Sequence, residues 1–258
     1  MVSAQMRVGL IQCGNINCLL VTDHGDYPQM FSTLLGSDLE LTVFDVQAGA
    51  VPDADECDGW LVSGSVDSTY DDLPWIAPAE SLLRDIVRLD VPLVGVCFGH
   101  QLLAQALGGR VEKASTGWGI GVHEYRLARE VPATAGLAPG SPLRLIASHQ
   151  DQVTELPAEA TLLASSDHCP VAAYSIGPRV LAIQPHPEFS LSFAGHLIEA
   201  RRHVFGDDLA DSALAGVARS WSEPLDDHTP ADRPDLDDGM LDRRAVADWI
   251  RRVLTLNA

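Results

Sequence analysis

Through the first hundred residues, short apolar runs alternate with stretches in which apolar positions recur every three to four residues. The runs "RVGLIQC" (7–13), "LELTVFDV" (39–46), "GWLVSG" (59–64) and "VPLVGV" (91–96) are rich in Val, Ile and Leu, the pattern of strands covered on both faces. Between them, "YPQMFSTLLG" and "APAESLLRDIVRLD" carry apolar residues at helical spacing, each with a proline near its start. A βαβα order predicts a parallel sheet with right-handed crossovers. The pattern then changes: "VHEYRLA", "LRLIAS", "ATLLASS", "PVAAYSI" and "RVLAIQ" follow one another with turns and few helices between them. These strands are predicted to extend the sheet antiparallel. Two helices are predicted to close the chain, over "SFAGHLIEARRHVF" (192–205) and "RRAVADWIRRVLTL" (243–256). The expected fold class is α/β, a doubly wound, mainly parallel sheet with antiparallel additions. No internal repeat and no second domain stand out.

Composition narrows the function classes. At 258 residues the chain is long enough for a substantial core. Its apolar runs stop well short of the ~18 residues a membrane helix requires, and the N-terminus reads as a first strand rather than a secretion signal. No membrane association and a cytoplasmic location are therefore expected. The formal net charge is −19, which disfavours nucleic acid as a partner. Much of that excess lies in 207–242, with eleven acidic residues against Arg219 and Arg233; a solvated, partly irregular segment is expected there. Five cysteines without zinc-like spacing predict neither a disulfide framework nor a metal site. Apart from Cys97 they are expected to be buried packing residues.

Cys97 stands apart because of its setting. In "VPLVGVCFGHQLLAQALGG" (91–109) an apolar strand runs through Gly95-Val96-Cys97-Phe98-Gly99 into a helix with apolar residues at 102, 103, 106 and 107. A sharp strand-to-helix corner needs small residues two before and two after its central residue, and it presents that residue as a nucleophile. The helix N-terminus favours negative charge on the sulfur, and the Phe98 N–H is free to face an oxyanion. A thiol nucleophile needs an imidazole to move its proton and a carboxylate to hold that imidazole. "RVLAIQPHPEFS" (179–190) ends a strand with His186-Pro187-Glu188, where residues i and i+2 of extended chain point to one side. The remaining histidines lack such a setting and are expected to be surface or satisfied core residues.

The elbow G-V-C-F-G-H-Q with the downstream H-P-E resembles the class I, triad-type glutamine amidotransferase family. The resemblance extends over "GDYPQMF" (25–31), "DGWLVSGSVDSTYDDLPWI" (58–76), "GWGIGVHEY" (117–125) and "SHQDQV" (148–153). It implies a flavodoxin-like sheet, with residues 1–206 as the amidotransferase domain and 207–258 as an acidic connection and a C-terminal helix packing on it. It also implies catalysis by Cys97, His186 and Glu188 without cofactor or metal, through a γ-glutamyl thioester on Cys97. By the same resemblance Gly64 joins Phe98 as oxyanion donor, and Gln101, Ser148, His149 and Gln150 grip the substrate's amino-acid end. Asp151 is assigned either to the substrate or to a structural turn.

Two hydrolytic readings follow. One is glutamine hydrolysis that supplies ammonia to a separate acceptor enzyme; the other is a free-standing γ-glutamyl peptide hydrolase. A third, a non-enzymatic regulator, would be marked by a lost triad residue, and none is lost. "SGSVDS" (63–68) looks like a nucleotide phosphate loop, but such a loop leads directly into a helix N-terminus. Here Asp71, Asp72, Pro74 and Pro78 follow, with no Lys or Arg before Arg84. No ATP binding is expected.

Overall fold

A computed structural model describes residues 6–37, 39–128, 139–222 and 241–256. Nine strands form one mixed sheet, ordered β2-β1-β3-β4-β11-β10-β9-β6-β7. Its first five strands are parallel: β2 (Leu39–Asp45), β1 (Met6–Gln12), β3 (Gly59–Val62), β4 (Leu93–Val96) and β11 (Val180–Ile183). From β11 onward every pairing is antiparallel, through β10 (Ala173–Ile176), β9 (Ala160–Ser165), β6 (Gly119–Leu127) and β7 (Pro142–His149). A second, two-stranded sheet pairs β5 (Arg110–Lys113) with β8 (Asp151–Glu155). The parallel half is where helical crossovers separate the strands in sequence, and the antiparallel half is where turns do.

Helices cover both faces of the parallel half, and strand alternation divides the core between them. Val8, Leu10, Leu61, Val94, Leu181 and Ile183 face one layer, to which α2 (Tyr27–Leu35), α5 (Leu191–Ala200) and α8 (Arg243–Leu254) contribute. Ile11, Trp60, Val62, Leu93 and Ala182 face the other, closed by α3 (Ile76–Arg88) and α4 (Phe98–Ala106). Gly9 permits this layering at one point, because a Cβ there would lie 2.2 Å from the Trp60 ring. Gly9→Ala is expected to destabilise the protein by about 1–3 kcal/mol through overpacking, read as a lower denaturation midpoint, with partial recovery in Gly9→Ala/Trp60→Leu.

Three sequence expectations change. Residues 207–222 are not irregular but form α7 (Asp207–Ser222), which packs on α5 and β6. Its buried residues Ala210, Ala213 and Val217 make a narrow apolar stripe that the surrounding acidic composition masks. Residues 223–240 of the acidic segment lie outside the described residues. The helix expected over 192–205 is broken into α5 and a short α6 (Arg202–Phe205). A further helix, α1 (Cys18–His24), is capped by the Asn17 side chain, and Cys18 at its start is exposed rather than buried. Among the described residues, no helix is long and apolar enough to cross a membrane.

Candidate active site

The carboxyl ends of β3, β4 and β11 lie side by side, because β4 sits between the other two. The segments leaving them, Ser63-Gly64, Cys97 and Gln184 to Glu188, therefore converge at one crevice, as ligand sites of open α/β sheets do. Cys97 occupies the corner between β4 and α4 with φ 54° and ψ −103°, a backbone conformation side chains rarely adopt. The surroundings enforce it. The Cys97 N–H donates to the Ile183 carbonyl at 2.9 Å and the Gly99 N–H to the Ser63 carbonyl at 3.2 Å. Both flanking glycines are required by contact: a Cβ at Gly95 would lie 2.5 Å from the Gly99 carbonyl oxygen, and one at Gly99 would lie 2.6 Å from that of Val62.

His186 is anchored by its own N–H, which donates to the Ile146 carbonyl at 2.8 Å. Its Nδ1 lies 2.7 Å from Glu188 Oε1, which leaves Nε2 to meet the Cys97 thiol, with which the ring is hydrogen-bonded. The imidazole stacks on Phe189, with centroids 3.9 Å apart and planes within 5°. Burial alone would lower its pKa, but Cys97 and Glu188 outweigh burial by charge and hydrogen bonding and raise it to about 10. The ring is thus held as imidazolium at neutral pH.

Around this pair, the N–H groups of Phe98 and Gly64 have no acceptor among the described residues. Gly64 is close to the imidazole: a Cβ on it would lie 3.2 Å from His186 Cε1 and 2.6 Å from the Tyr27 hydroxyl. Tyr27, for which sequence reasoning identified no role, is the first residue of α2, placed by a capping box between Asp26 and Gln29. Burial, followed by the nearby Glu188 and Cys97, raises its phenol pKa well above the usual value, so it stays a neutral hydroxyl. A second unforeseen contributor is Arg243 at the start of α8. Its guanidinium donates to the Pro187 carbonyl at 2.9 Å and the Glu188 carbonyl at 3.2 Å, tying the C-terminal helix to the loop that carries the histidine. The motif "GDYPQMF" hinted at Tyr27; nothing local could have revealed a contact between residues 55 or more apart.

The four residues expected to grip substrate are separated by the fold. Ser148 lines a cavity of about 350 Å³ that also borders His186 and Tyr27. Gln101 is buried, and its amide donates to the Asp151 carbonyl at 2.7 Å and to Gln184 Oε1 at 3.0 Å, so Oε1 is the atom it retains for a ligand. Gln184 in turn places its Nε2 3.7 Å from the Cys97 sulfur. His149 is buried, and neither ring nitrogen has a partner among the described residues. Burial first, then neighbouring histidines, lowers its pKa to about 3, leaving a neutral ring. Gln150 turns between β7 and β8, its carbonyl accepting from the Ala114 N–H at 3.0 Å. The Asp151 carboxylate accepts from the Ser68 hydroxyl at 2.5 Å and the Tyr70 hydroxyl at 2.9 Å, which gives it the structural part of its two expected roles. Those contacts also pin the loop after β3, so that "SGSVDS" is a braced turn rather than a helix-opening phosphate cradle. Among the described residues no cluster of His, Cys, Asp or Glu has the arrangement of a metal site.

Comparison with known proteins agrees with this geometry. Residues 28–204 match the family described as glutamine amidotransferase class-I. γ-Glutamyl peptidase 5 of Arabidopsis thaliana is 33% identical over 225 residues, covering 83% of this chain and 89% of that protein. The glutamine-hydrolysing component of the GMP synthase of Halobacterium salinarum is 34% identical over 182 residues, covering 70% of this chain and 93% of that component. The crystal structure of a Thermotoga maritima glutamine amidotransferase superposes with a TM-score of 0.72 at 18% identity, covering 98% and 99% of the two chains. This last likeness speaks for the fold.

Proposed function

The chain belongs to the class-I glutamine amidotransferase family, and from that membership we propose that it hydrolyses the γ-amide of glutamine through a thioester on Cys97. The single observation that carries the reading is the contiguous chain from the Cys97 sulfur through the His186 ring to Glu188 Oε1, 2.7 Å from Nδ1. The sulfur attacks the γ-carbonyl carbon, and the oxyanion is received by the N–H groups of Phe98 and Gly64. His186 donates its Nε2 proton to the leaving nitrogen, and the C–N bond breaks to release ammonia. Water then attacks the thioester, His186 takes the proton back, and glutamate leaves. Glu188 holds the ring in place throughout. The ammonia goes to a separate acceptor enzyme, a role supported by likeness to one component of a synthase. A γ-glutamyl peptide is the alternative donor, favoured by the roomy cavity beside His186. Five free thiols support a cytoplasmic setting.

The test is glutamate release from glutamine, together with capture of a γ-glutamyl adduct on Cys97 by intact mass. Its pH dependence has a defined sign. His186 must be protonated to expel the leaving nitrogen, and its pKa is raised to about 10. Activity is therefore expected to hold through neutral pH and to fall as pH rises through about 10. Glu188→Gln removes a charge that raises the histidine pKa, so the alkaline fall should begin about one unit or more lower. An unchanged alkaline limb in Glu188→Gln would remove Glu188 from the triad.

A further inference from the structure

The cavity beside His186 has a volume of about 350 Å³, whereas a departing ammonia needs on the order of 30 Å³, the share of one water molecule. Its wall runs from Asn15 and Tyr27 past Ser148 and His186 to Arg201 and His203. No aspartate or glutamate lines it, although the chain's formal net charge is −19. Arg201 supplies a fixed positive charge. Its guanidinium lies 5.2 Å from the centroids of both the Trp118 and Phe205 rings, which meet edge to face at 5.1 Å. Such aromatic flanks orient a guanidinium without neutralising it. Among the described residues no carboxylate reaches Arg201, while the adjacent Arg202 pairs with Glu199, Asp207 and Asp211 on the outer surface. The break between α5 and α6 falls at these two residues and turns one arginine in and the other out. The charge of Arg201 is felt by Tyr27 and Cys97, which places it within electrostatic reach of the reacting centre.

Direction decides what an anion here would be. In the reaction above His186 protonates the leaving nitrogen, so the leaving group departs on the His186 side, where this cavity opens. Glutamine has nothing to place there, because its leaving group is ammonia. We propose that Arg201 receives a free carboxylate on the leaving group, so that the donor this site fits is a γ-glutamyl peptide whose departing part is an amino acid or short peptide ending in a carboxylate. The inference rests on the hydrolytic reading and narrows its substrate class. The bond broken is the γ-glutamyl amide; water supplies the hydroxyl that completes glutamate, and the proton on the leaving nitrogen comes from His186.

The decisive pair of substrates is γ-glutamylalanine and γ-glutamylalaninamide, which differ at the terminal carboxylate. For the full-length protein kcat/KM is expected to favour the acid by about 10- to 100-fold, the range of a charge-assisted contact. In Arg201→Met that preference should collapse to within about threefold, through KM for the acid, and Arg201→Lys should restore part of it as a point charge. A wild-type ratio near one, a ratio that survives Arg201→Met, or an equal loss for acid and amide would each overturn the proposal; the last would assign Arg201 to the γ-glutamyl end. Calorimetric titration of both compounds into Cys97→Ala, and into Cys97→Ala/Arg201→Met, separates this claim from the hydrolytic one, because binding needs no turnover. Acid-selective binding that vanishes with Arg201 upholds the carboxylate site even if Cys97 is never acylated; its absence refutes the site whatever the activity.

Discussion

Cys97→Ala is expected to lower kcat for γ-glutamyl hydrolysis by roughly 10⁴- to 10⁶-fold, the scale seen when a nucleophile acting as part of a unit is removed. Substrate affinity should survive, since Gln101, Ser148 and the loop around Gly64 are untouched. The variant should also fold: the corner at residue 97 is enforced by the Gly95 and Gly99 contacts and by the bond from its own N–H to the Ile183 carbonyl, none of which involves sulfur. A companion variant isolates the backbone strain. At φ 54° and ψ −103° any Cβ is disfavoured, so Cys97→Gly should be equally inactive yet more stable than Cys97→Ala by about 1 kcal/mol. Glutamate release measures the first effect and denaturant midpoints the second. Retention of activity in Cys97→Ala would dismantle the mechanism; Cys97→Gly proving less stable than Cys97→Ala would show that the corner stores no strain.

Gly64→Pro should reduce formation of the γ-glutamyl thioester by roughly a hundred- to a thousandfold, about 2.7–4 kcal/mol, the worth of one oxyanion donor. Proline removes the N–H, but it also adds atoms where a Cβ already would lie 2.6 Å from the Tyr27 hydroxyl. Crowding and the lost donor are separated by Gly64→Ala in a Tyr27→Phe background, which keeps the N–H and deletes the nearest obstructing atom. That double variant is expected to acylate at least about tenfold faster than Gly64→Pro. If both are equally slow in single-turnover acylation, the glycine is needed for space beside His186 and not for its N–H.

The elbow was legible in the sequence because its physics is local. A strand, a glycine on each side of one cysteine and an immediate helix are all contained in residues 93–106, and the fold adds only the contacts that make Gly95 and Gly99 obligatory. His186 and Glu188 were legible for the same reason, two residues apart on extended chain. The acidic helix α7 was hidden because its apolar stripe at Ala210, Ala213 and Val217 is narrow, so composition outweighed periodicity. Tyr27 and Arg243 were hidden differently: their segments read correctly as helices, but which end of the sheet those helices reach is not written in either segment.

The sequence by itself therefore determined the elements, the parallel order of the first strands, the nucleophile and its two partners, since each depends on residues within one turn or strand. Tertiary structure alone decided that the ends of β3, β4 and β11 meet, that Asp151 braces the loop after β3 instead of facing a ligand, and that Arg201 turns inward between Trp118 and Phe205 while Arg202 turns out. The physical reason is range. Backbone conformation and amphipathic spacing are set by neighbours along the chain, whereas the placement of a charge or a free N–H in a crevice is set by which distant surfaces pack to exclude water around it.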